Sequence, residues 1–138
     1  MNGLLARART MRRDPAILLL ALGQTLAWAT IYYVFPALLL RWEQTTGWTK
    51  AELTGAITTA VLVSAAASPL AGRIIDQGRG PHLMAGSAVI GGLGLLLLAQ
   101  VAALWQFYAV WSLIGLAMAG CLYEPAFALV TRARGPKA

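Results

Sequence analysis

Residues 72–82 read GRIIDQGRGPH, a polar segment between two long apolar stretches. The segment contains three glycines, a proline and side chains of both charge signs. Residues 53–71 before it and 83–123 after it carry no charge. Because glycine and proline favour tight turns, the pattern predicts two apolar helices joined by a short polar turn.

The composition of the whole chain indicates a membrane protein. Hydrophobic residues make up 59% of its 138 residues and charged residues 12%, whereas about a quarter of the residues in a soluble domain are charged. One helical crossing of a bilayer needs about 20 apolar residues. The apolar stretches of the chain are long enough for four crossings.

We therefore predict an all-α membrane protein with four transmembrane helices, at about residues 15–40, 53–75, 83–103 and 106–131. In this prediction residues 1–14 form a basic N-terminus, the four-helix domain covers residues 15–135, and residues 136–138 form a short, truncated C-terminal end. Thr49 and Glu52 have the spacing of a capping box before the second helix.

The uncharged stretch of residues 83–123 is too long for a single transmembrane helix. As one helix at about 1.5 Å per residue, residues 83–123 would be about twice as long as the hydrocarbon core. The chain must turn back, and we expect the turn near residues 100–106. Polar and aromatic side chains typical of the water boundary gather there, namely Gln100, Trp105, Gln106 and the nearby Tyr108.

Positive charge is distributed unevenly among the segments that flank the predicted helices. Nine Lys and Arg residues lie in the N-terminus, the 72–82 turn and the C-terminal end, whereas two lie in the 41–52 loop. Because basic residues are retained in the cytoplasm, we predict that both termini are cytoplasmic. The net charge of +6 then reflects topology and attraction to anionic lipid. We expect the lipid bilayer as a partner and no nucleic acid.

The N-terminus also allows a second interpretation, a cleaved signal peptide. Basic residues before an apolar segment and an Ala-Trp-Ala triplet at 27–29 fit that pattern. We favour an uncleaved first helix because the apolar stretch continues to Leu40. A mature protein beginning at Thr30 would contradict this interpretation.

The sequence shows no pattern that indicates catalysis. Cys121 is its single cysteine, so the spacings of metal and redox sites do not occur. The sequence also lacks a phosphate loop, a paired-carboxylate motif and a nucleophile–base motif. We therefore expect no enzyme activity, no metal and no cofactor.

Glu124 is the main candidate for a functional residue because it lies inside the predicted fourth helix. It precedes Arg132 by eight residues, about 12 Å along a helix, and a carboxylate at hydrocarbon depth is costly. We consider two roles, binding of a substrate cation or coupling proton, and structural pairing with Arg132 or Arg134. Pro125 leaves the carbonyl of Cys121 without its helical donor, which predicts a kink.

A polar and aromatic face is predicted on the first helix. Gln24, Trp28 and Tyr32 follow one another at i, i+4 spacing and therefore share that face. Such a face suits the lining of a cavity, although aromatic residues near a helix end also serve as interface anchors. We predict that these three residues and Glu124 bind substrate.

Small residues at helical spacing in the second and third helices predict close helix packing. The sets that we expect at helix contacts are Ala60/Ser64/Ser68 and Ala88/Gly92. We interpret them as packing faces rather than as a ligand site.

Four segments of the chain carry a resemblance to a known family. They are QTLAWATIYY at 24–33, GWT at 47–49, GRIIDQGRG at 72–80 and LYEPAFA at 122–128. These segments resemble bacterial transporters of the major facilitator superfamily (MFS), and the resemblance covers essentially residues 15–135. It implies that the chain corresponds to helices 1–4 of the N-terminal half of a twelve-helix transporter.

The resemblance also implies a function and a location. MFS proteins are secondary transporters that bind a small-molecule substrate near the membrane midplane, between two six-helix halves. Helices one and four line the N-terminal side of that cavity, so the substrate-binding residues would be Gln24, Trp28, Tyr32 and Glu124. The implied location is the bacterial cytoplasmic (inner) membrane, and a coupling proton is a further expectation.

The turn resembles the MFS loop between helices two and three, whose aspartate and basic residues clamp the cytoplasmic side. The matching residues, which would form a gating motif, are Gly72, Asp76, Gly78 and Arg79. The sequence departs from the family pattern at Gln77, which replaces a basic residue, and the Gly-Arg pair comes one position early. It also lacks the buried helix-four arginine of drug/proton antiporters, so the resemblance does not imply proton-driven drug efflux.

Because the sequence stops after the predicted fourth helix, we expect a truncated, partial or split family member that needs the missing helices or an oligomeric partner. Two alternatives remain. A small oligomeric multidrug-type transporter has a similar size, but such proteins resemble one another in a helix-one carboxylate that residues 15–40 lack. The other alternative is a four-helix accessory or assembly subunit.

Overall fold

The computed structural model describes residues 15–121. All regular structure in this part of the chain is helical. The elements are α1 (Pro15–Ala27), a π-helical turn (Trp28–Tyr32), α2 (Val34–Thr46), α3 (Lys50–Asp76), α4 (Gly80–Leu98) and α5 (Leu104–Cys121). We refer to α1, the π-helical turn and α2 together as the first span. Glu124 and the predicted termini lie outside the described residues.

Four helices of the described chain are long and apolar enough to cross a membrane, judged by length and composition. They are Ala21–Thr46, Lys50–Asp76, Gly80–Leu98 and Leu104–Cys121. This confirms the predicted all-α architecture of four transmembrane helices. The protein is an integral membrane protein.

The first span continues past its predicted end at Leu40 and stops at Thr46. Arg41 therefore lies inside the helix. The prediction ended too early because a charged residue marks where the hydrocarbon core ends, and the hydrogen-bonded helix can continue beyond it. Gly47 ends the helix in a left-handed conformation (φ 74°), and its N–H donates to the carbonyl of Glu43 at 3.1 Å. A glycine in this conformation is a common helix stop.

Side-chain caps set two other helix starts. The capping box before α3 is present: the Thr49 N–H donates to Glu52 Oε2 at 2.8 Å, and the Glu52 N–H donates to Thr49 Oγ1 at 3.3 Å. α4 ends at Leu98, and the chain turns back through residues 99–103. Gln106 Oε1 accepts from the N–H groups of Ala102 and Ala103, so its side chain gives partners to the two backbone donors just before α5.

The fourth span, α5, is the centre of the described bundle, and α3 and α4 pack against it most extensively. Gly115 lies against the backbone of Ala60 in α3, where an added Cβ would meet the Ala60 carbonyl oxygen and lie 2.8 Å from its Cα. Gly94 of α4 makes room for the side chain of Ile114, whose Cγ1 would lie 2.7 Å from an added Cβ. Small residues at these points let the backbones approach closely, as in other membrane helix pairs.

The predicted small-residue faces hold in part for α3, where Ser64 and Ser68 are half-buried, and are wrong for α4. Ala60 is fully buried, whereas Ala88 and Gly92 are exposed. The buried residues of α4 are instead Gly80, Ser87, Gly91 and Gly94, and two of them, Ser87 and Gly91, each lie one position before a predicted residue. A helix that is apolar on all sides gives no periodic signal that identifies its packed face.

An aromatic cluster joins the α2 end of the first span to α5. Its rings are Phe35 and Trp42 of α2, Trp48 of the following loop, and Phe107 and Trp111 of α5. Phe35 meets Trp111 edge to face at a centroid distance of 5.1 Å, and Trp42 meets Phe107 in the same way at 5.1 Å. Each such pair contributes about 0.5–1.5 kcal/mol beyond burial, so this end of the first span is held firmly.

Candidate functional site

The π-helical turn determines which side chains the first span presents near its middle. The Tyr33 N–H donates to the carbonyl of Trp28, five residues back, at 3.0 Å. Pro36 explains the distortion, because it has no N–H for the carbonyl of Tyr32 and its ring crowds that carbonyl. Single π-helical turns inside α-helices occur frequently at functional sites.

A groove of about 670 Å³ lies along this part of the first span. Its described lining consists of Ala21, Gln24, Thr25, Trp28, Ala29 and Tyr33, all from the first span. The lining combines two aromatic rings with an amide and a hydroxyl. This is the usual composition of a small-molecule site, which is mostly apolar with a few polar groups that fix orientation.

That Gln24, Trp28 and Tyr32 bind substrate stays a prediction. Gln24 and Trp28 line the groove, whereas Tyr32 is not among its lining residues. Tyr33 takes that place. In a regular α-helix Tyr33 would be rotated by roughly 140° from Trp28, at about 100° per residue. The wider π-helical turn returns Tyr33 to the position one turn beyond Trp28, and the two ring centroids are 6.4 Å apart.

Tyr32 turns towards the protein. It is half-buried and packs against the hydrophobic core, and its ring lies 5.0 Å from that of Trp28 and edge-on to Tyr33 at 5.7 Å. Tyr33, in contrast, is 59% exposed. The signal that could have identified Tyr33 is Pro36, because a proline four residues after Tyr32 disturbs the i, i+4 register on which the prediction rested.

Gln24 also connects the first span to the fourth. Its side-chain Nε2 donates to the backbone carbonyl of Cys121 at 2.8 Å, across 97 positions of sequence. The other polar atom of the amide, Oε1, is buried and has no hydrogen-bond partner among the described residues. The sequence predicted a polar face at Gln24 and, because of Pro125, a Cys121 carbonyl without its helical donor, but not that the two groups meet.

A second cavity, of about 600 Å³, adjoins the groove. It shares Ala29 and Tyr33 with the groove and continues past Ala37 to Trp42, with Leu95 and Leu98 of α4 on its other side. Tyr33 therefore lies where the two cavities meet. Together they follow the first span from Ala21 to Trp42, about 30 Å of helix, which is close to the thickness of the hydrocarbon core.

The predicted gating motif surrounds a short turn between the end of α3 at Asp76 and the start of α4 at Gly80. Gly78 adopts a left-handed conformation (φ 80°). Its N–H donates to the carbonyl of Ile75 at 2.9 Å, and the Arg79 N–H donates to the carbonyl of Ile74 at 3.2 Å. This pair of bonds is a Schellman motif, which satisfies carbonyls at the end of a helix. The glycine at 78 therefore has a backbone role.

The other three motif residues occupy different places around this turn. Asp76 is the last residue of α3 and is exposed, and exposed Arg79 precedes α4 as its N-cap. Gly72 lies within α3, and an added Cβ there would meet nothing within 4 Å of the described chain. The charged pair is thus presented on the surface of the turn.

Gly78→Ala is expected to destabilise the protein by about 1–2 kcal/mol, because an L-residue in the left-handed region is strained by that amount. Gly72→Ala is the matched control. It places the same methyl group in open space on a helix, where alanine is favoured over glycine by about 1 kcal/mol. Thermal unfolding in one detergent should show a lower midpoint for Gly78→Ala and an unchanged or higher one for Gly72→Ala. Equal midpoints would contradict the assigned turn.

The family described as Major Facilitator Superfamily matches residues 20–137, which is most of the chain and includes all four spans. Comparisons with curated proteins and with solved structures give no match. Since the family match covers far more than half of the sequence, the chain belongs to the major facilitator superfamily of membrane solute transporters.

Proposed function

We propose that this protein, together with the missing helices or an oligomeric partner, carries out secondary active transport of a neutral or cationic organic solute. We also propose that the groove on the first span forms part of the binding site. Membership of the MFS supports membrane solute transport. The groove lined by Gln24, Trp28 and Tyr33 supports the position of the site. This groove is the observation on which the proposal rests.

The chemistry of the groove favours this class of solute. The faces of Trp28 and Tyr33 attract cations and apolar rings, while Gln24 and Thr25 offer neutral polar groups. The described lining includes no Lys or Arg that could pair with an anionic solute. Glu124 could pair with a cationic solute or take up a coupling proton, a role that still rests on the sequence.

We further propose that the protein lies in a bacterial cytoplasmic membrane with both ends of the chain in the cytoplasm. The uneven distribution of basic residues supports this orientation. It places the 72–82 turn on the cytoplasmic side and the loop at Gly47 outside. Alkaline phosphatase inserted after Gly47 should be active in a bacterial host, and phosphatase inserted after Gly78 inactive. The reverse pattern would overturn the orientation.

Transport can be tested in everted membrane vesicles that maintain a proton gradient reported by an acridine dye. Addition of a solute that is exchanged for protons should restore dye fluorescence, whereas a solute that enters together with protons is followed in right-side-out vesicles as a rise in the pH of the medium. The panel should include organic cations such as tetraphenylphosphonium, neutral amino acids, neutral sugars and monocarboxylates. We expect a response to a cationic or neutral solute that is lost in vesicles with Trp28→Ala.

Two results would overturn parts of this proposal. A response confined to the monocarboxylates would contradict the solute class. A response that persists unchanged with Trp28→Ala would remove the groove from the site. For the proton role, Glu124→Gln should abolish the dependence of uptake on pH, and an unchanged pH profile would exclude Glu124 as the coupling group.

A further inference from the structure

The hydrogen bond between Gln24 and Cys121 has an unusual acceptor. In a regular helix the carbonyl of Cys121 would accept from the N–H of residue 125. Residue 125 is proline, which has no N–H. Whatever the conformation of the intervening residues, this donor is missing for reasons of covalent chemistry.

A carbonyl without a donor is costly inside a membrane. Water is not available there, and each unsatisfied backbone group costs several kcal/mol. Prolines are tolerated in membrane helices where neighbouring helices supply the missing bonds. The Gln24 amide reaches the Cys121 carbonyl at 2.8 Å, within ordinary hydrogen-bond distance. The carbonyl can only accept, which also fixes which end of the amide faces it.

We propose that Gln24 is a positioning residue that replaces the hydrogen bond withheld by Pro125 and thereby latches the first span to the fourth. The latch is in α1, whereas the aromatic cluster described above joins the α2 end of the first span to α5, through pairs such as Phe35–Trp111 and Trp42–Trp111. Rings that pack edge to face hold one end, and a single exchangeable hydrogen bond holds the first span near its other end.

The latch links solute binding in the groove to movement of the fourth span, an inference that rests on the proposed transport function. Gln24 lines the groove with the same side chain that contacts Cys121. Its other polar atom, Oε1, is buried and has no partner among the described residues, so the bond to Cys121 is the hydrogen bond that holds the amide in place there. A solute that draws the amide away would release the fourth span.

The single cysteine of the sequence provides a probe of the latch that needs no transported solute. The Cys121 side chain is 3% exposed, so N-ethylmaleimide should alkylate it slowly in intact membranes. Gln24→Met keeps the length of the side chain and removes the donor. We expect alkylation of the peptide that contains Cys121, quantified by mass spectrometry, to become about three- to fivefold faster, the effect of one interhelical hydrogen bond.

Thr25→Val is the matched control. Thr25 lines the same groove, but its hydroxyl donates to the carbonyl of Ala21 within its own helix at 2.9 Å. The labelling rate of this variant should equal that of the wild type. A rate raised as much as in Gln24→Met would show general loosening of the first span and overturn the latch.

Pro125→Ala tests the compensation directly, because it returns an N–H that can bond to the Cys121 carbonyl. In the Pro125→Ala background, Gln24→Met should change the labelling rate by less than about 1.5-fold, since the carbonyl no longer depends on Gln24. An undiminished effect of Gln24→Met in that background would overturn the proposal, as would an unchanged labelling rate in the single variant. Neither outcome depends on solute flux, so failure of the latch is distinguishable from failure of the transport proposal.

Discussion

Gly115→Val should lower the midpoint of thermal unfolding by about 10 °C, the largest effect on stability that we expect from a single substitution in the described chain. Gly115 is buried where α5 crosses α3, and an added Cβ would meet the backbone of Ala60. Backbone atoms cannot rotate away as a side chain can, so the two spans would have to separate. Overpacking of this kind costs about 1–3 kcal/mol or more.

Gly92→Val is the control for this substitution. It introduces the same β-branched side chain into a membrane helix, but Gly92 is exposed and an added Cβ would meet nothing within 4 Å. Its midpoint should stay within about 2 °C of the wild type, since surface substitutions change stability by about 0.5 kcal/mol or less. The measurement is the fraction of monodisperse protein that remains in detergent after heating. Similar losses in both variants would contradict the assigned α3–α5 contact.

Only some features of the fold could be predicted from the sequence. The number of spans and the positions of the turns follow from stretches without charge, the Thr49 cap and the 72–82 turn. Which face of each helix is packed does not follow from these features. Soluble helices reveal their buried side by a polar opposite side, but spans in lipid are apolar all round. The sequence therefore gave no reason to prefer Gly91 over Gly92 as the packed residue.

The candidate site was predictable in part for a related reason. Gln24 is a polar residue on a lipid-immersed helix, and such a residue is costly there unless it faces protein or a cavity. Trp28 follows it by four residues and therefore shares its face. The exchange of Tyr32 for Tyr33 depends on a local change of helix type, which i, i+4 counting cannot represent. The contact of Gln24 with Cys121 joins residues 97 positions apart, and it depends on how the helices pack.

Tyr33→Ala should raise the KM of the transported solute about tenfold, whereas Tyr32→Ala should leave KM nearly unchanged. Loss of a cation–π or ring-stacking contact of about 1.4 kcal/mol corresponds to a tenfold change in binding. Tyr33 is 59% exposed and lies beside both cavities, so its ring is available to a solute. Tyr32 packs against the core, so its removal should instead lower the thermal midpoint.

The adjacent tyrosines provide a comparison in which chemistry, helix and membrane depth are nearly the same. Uptake kinetics should be measured for the solute that responds in the vesicle assay, with unfolding midpoints for the same preparations. Tyr33→Phe should restore a KM close to that of the wild type if the ring face makes the contact, and should fail to do so if the hydroxyl does. A larger rise in KM for Tyr32→Ala than for Tyr33→Ala would mean that a regular α-helical register operates during transport. In that case the π-helical turn would not determine which tyrosine meets the solute.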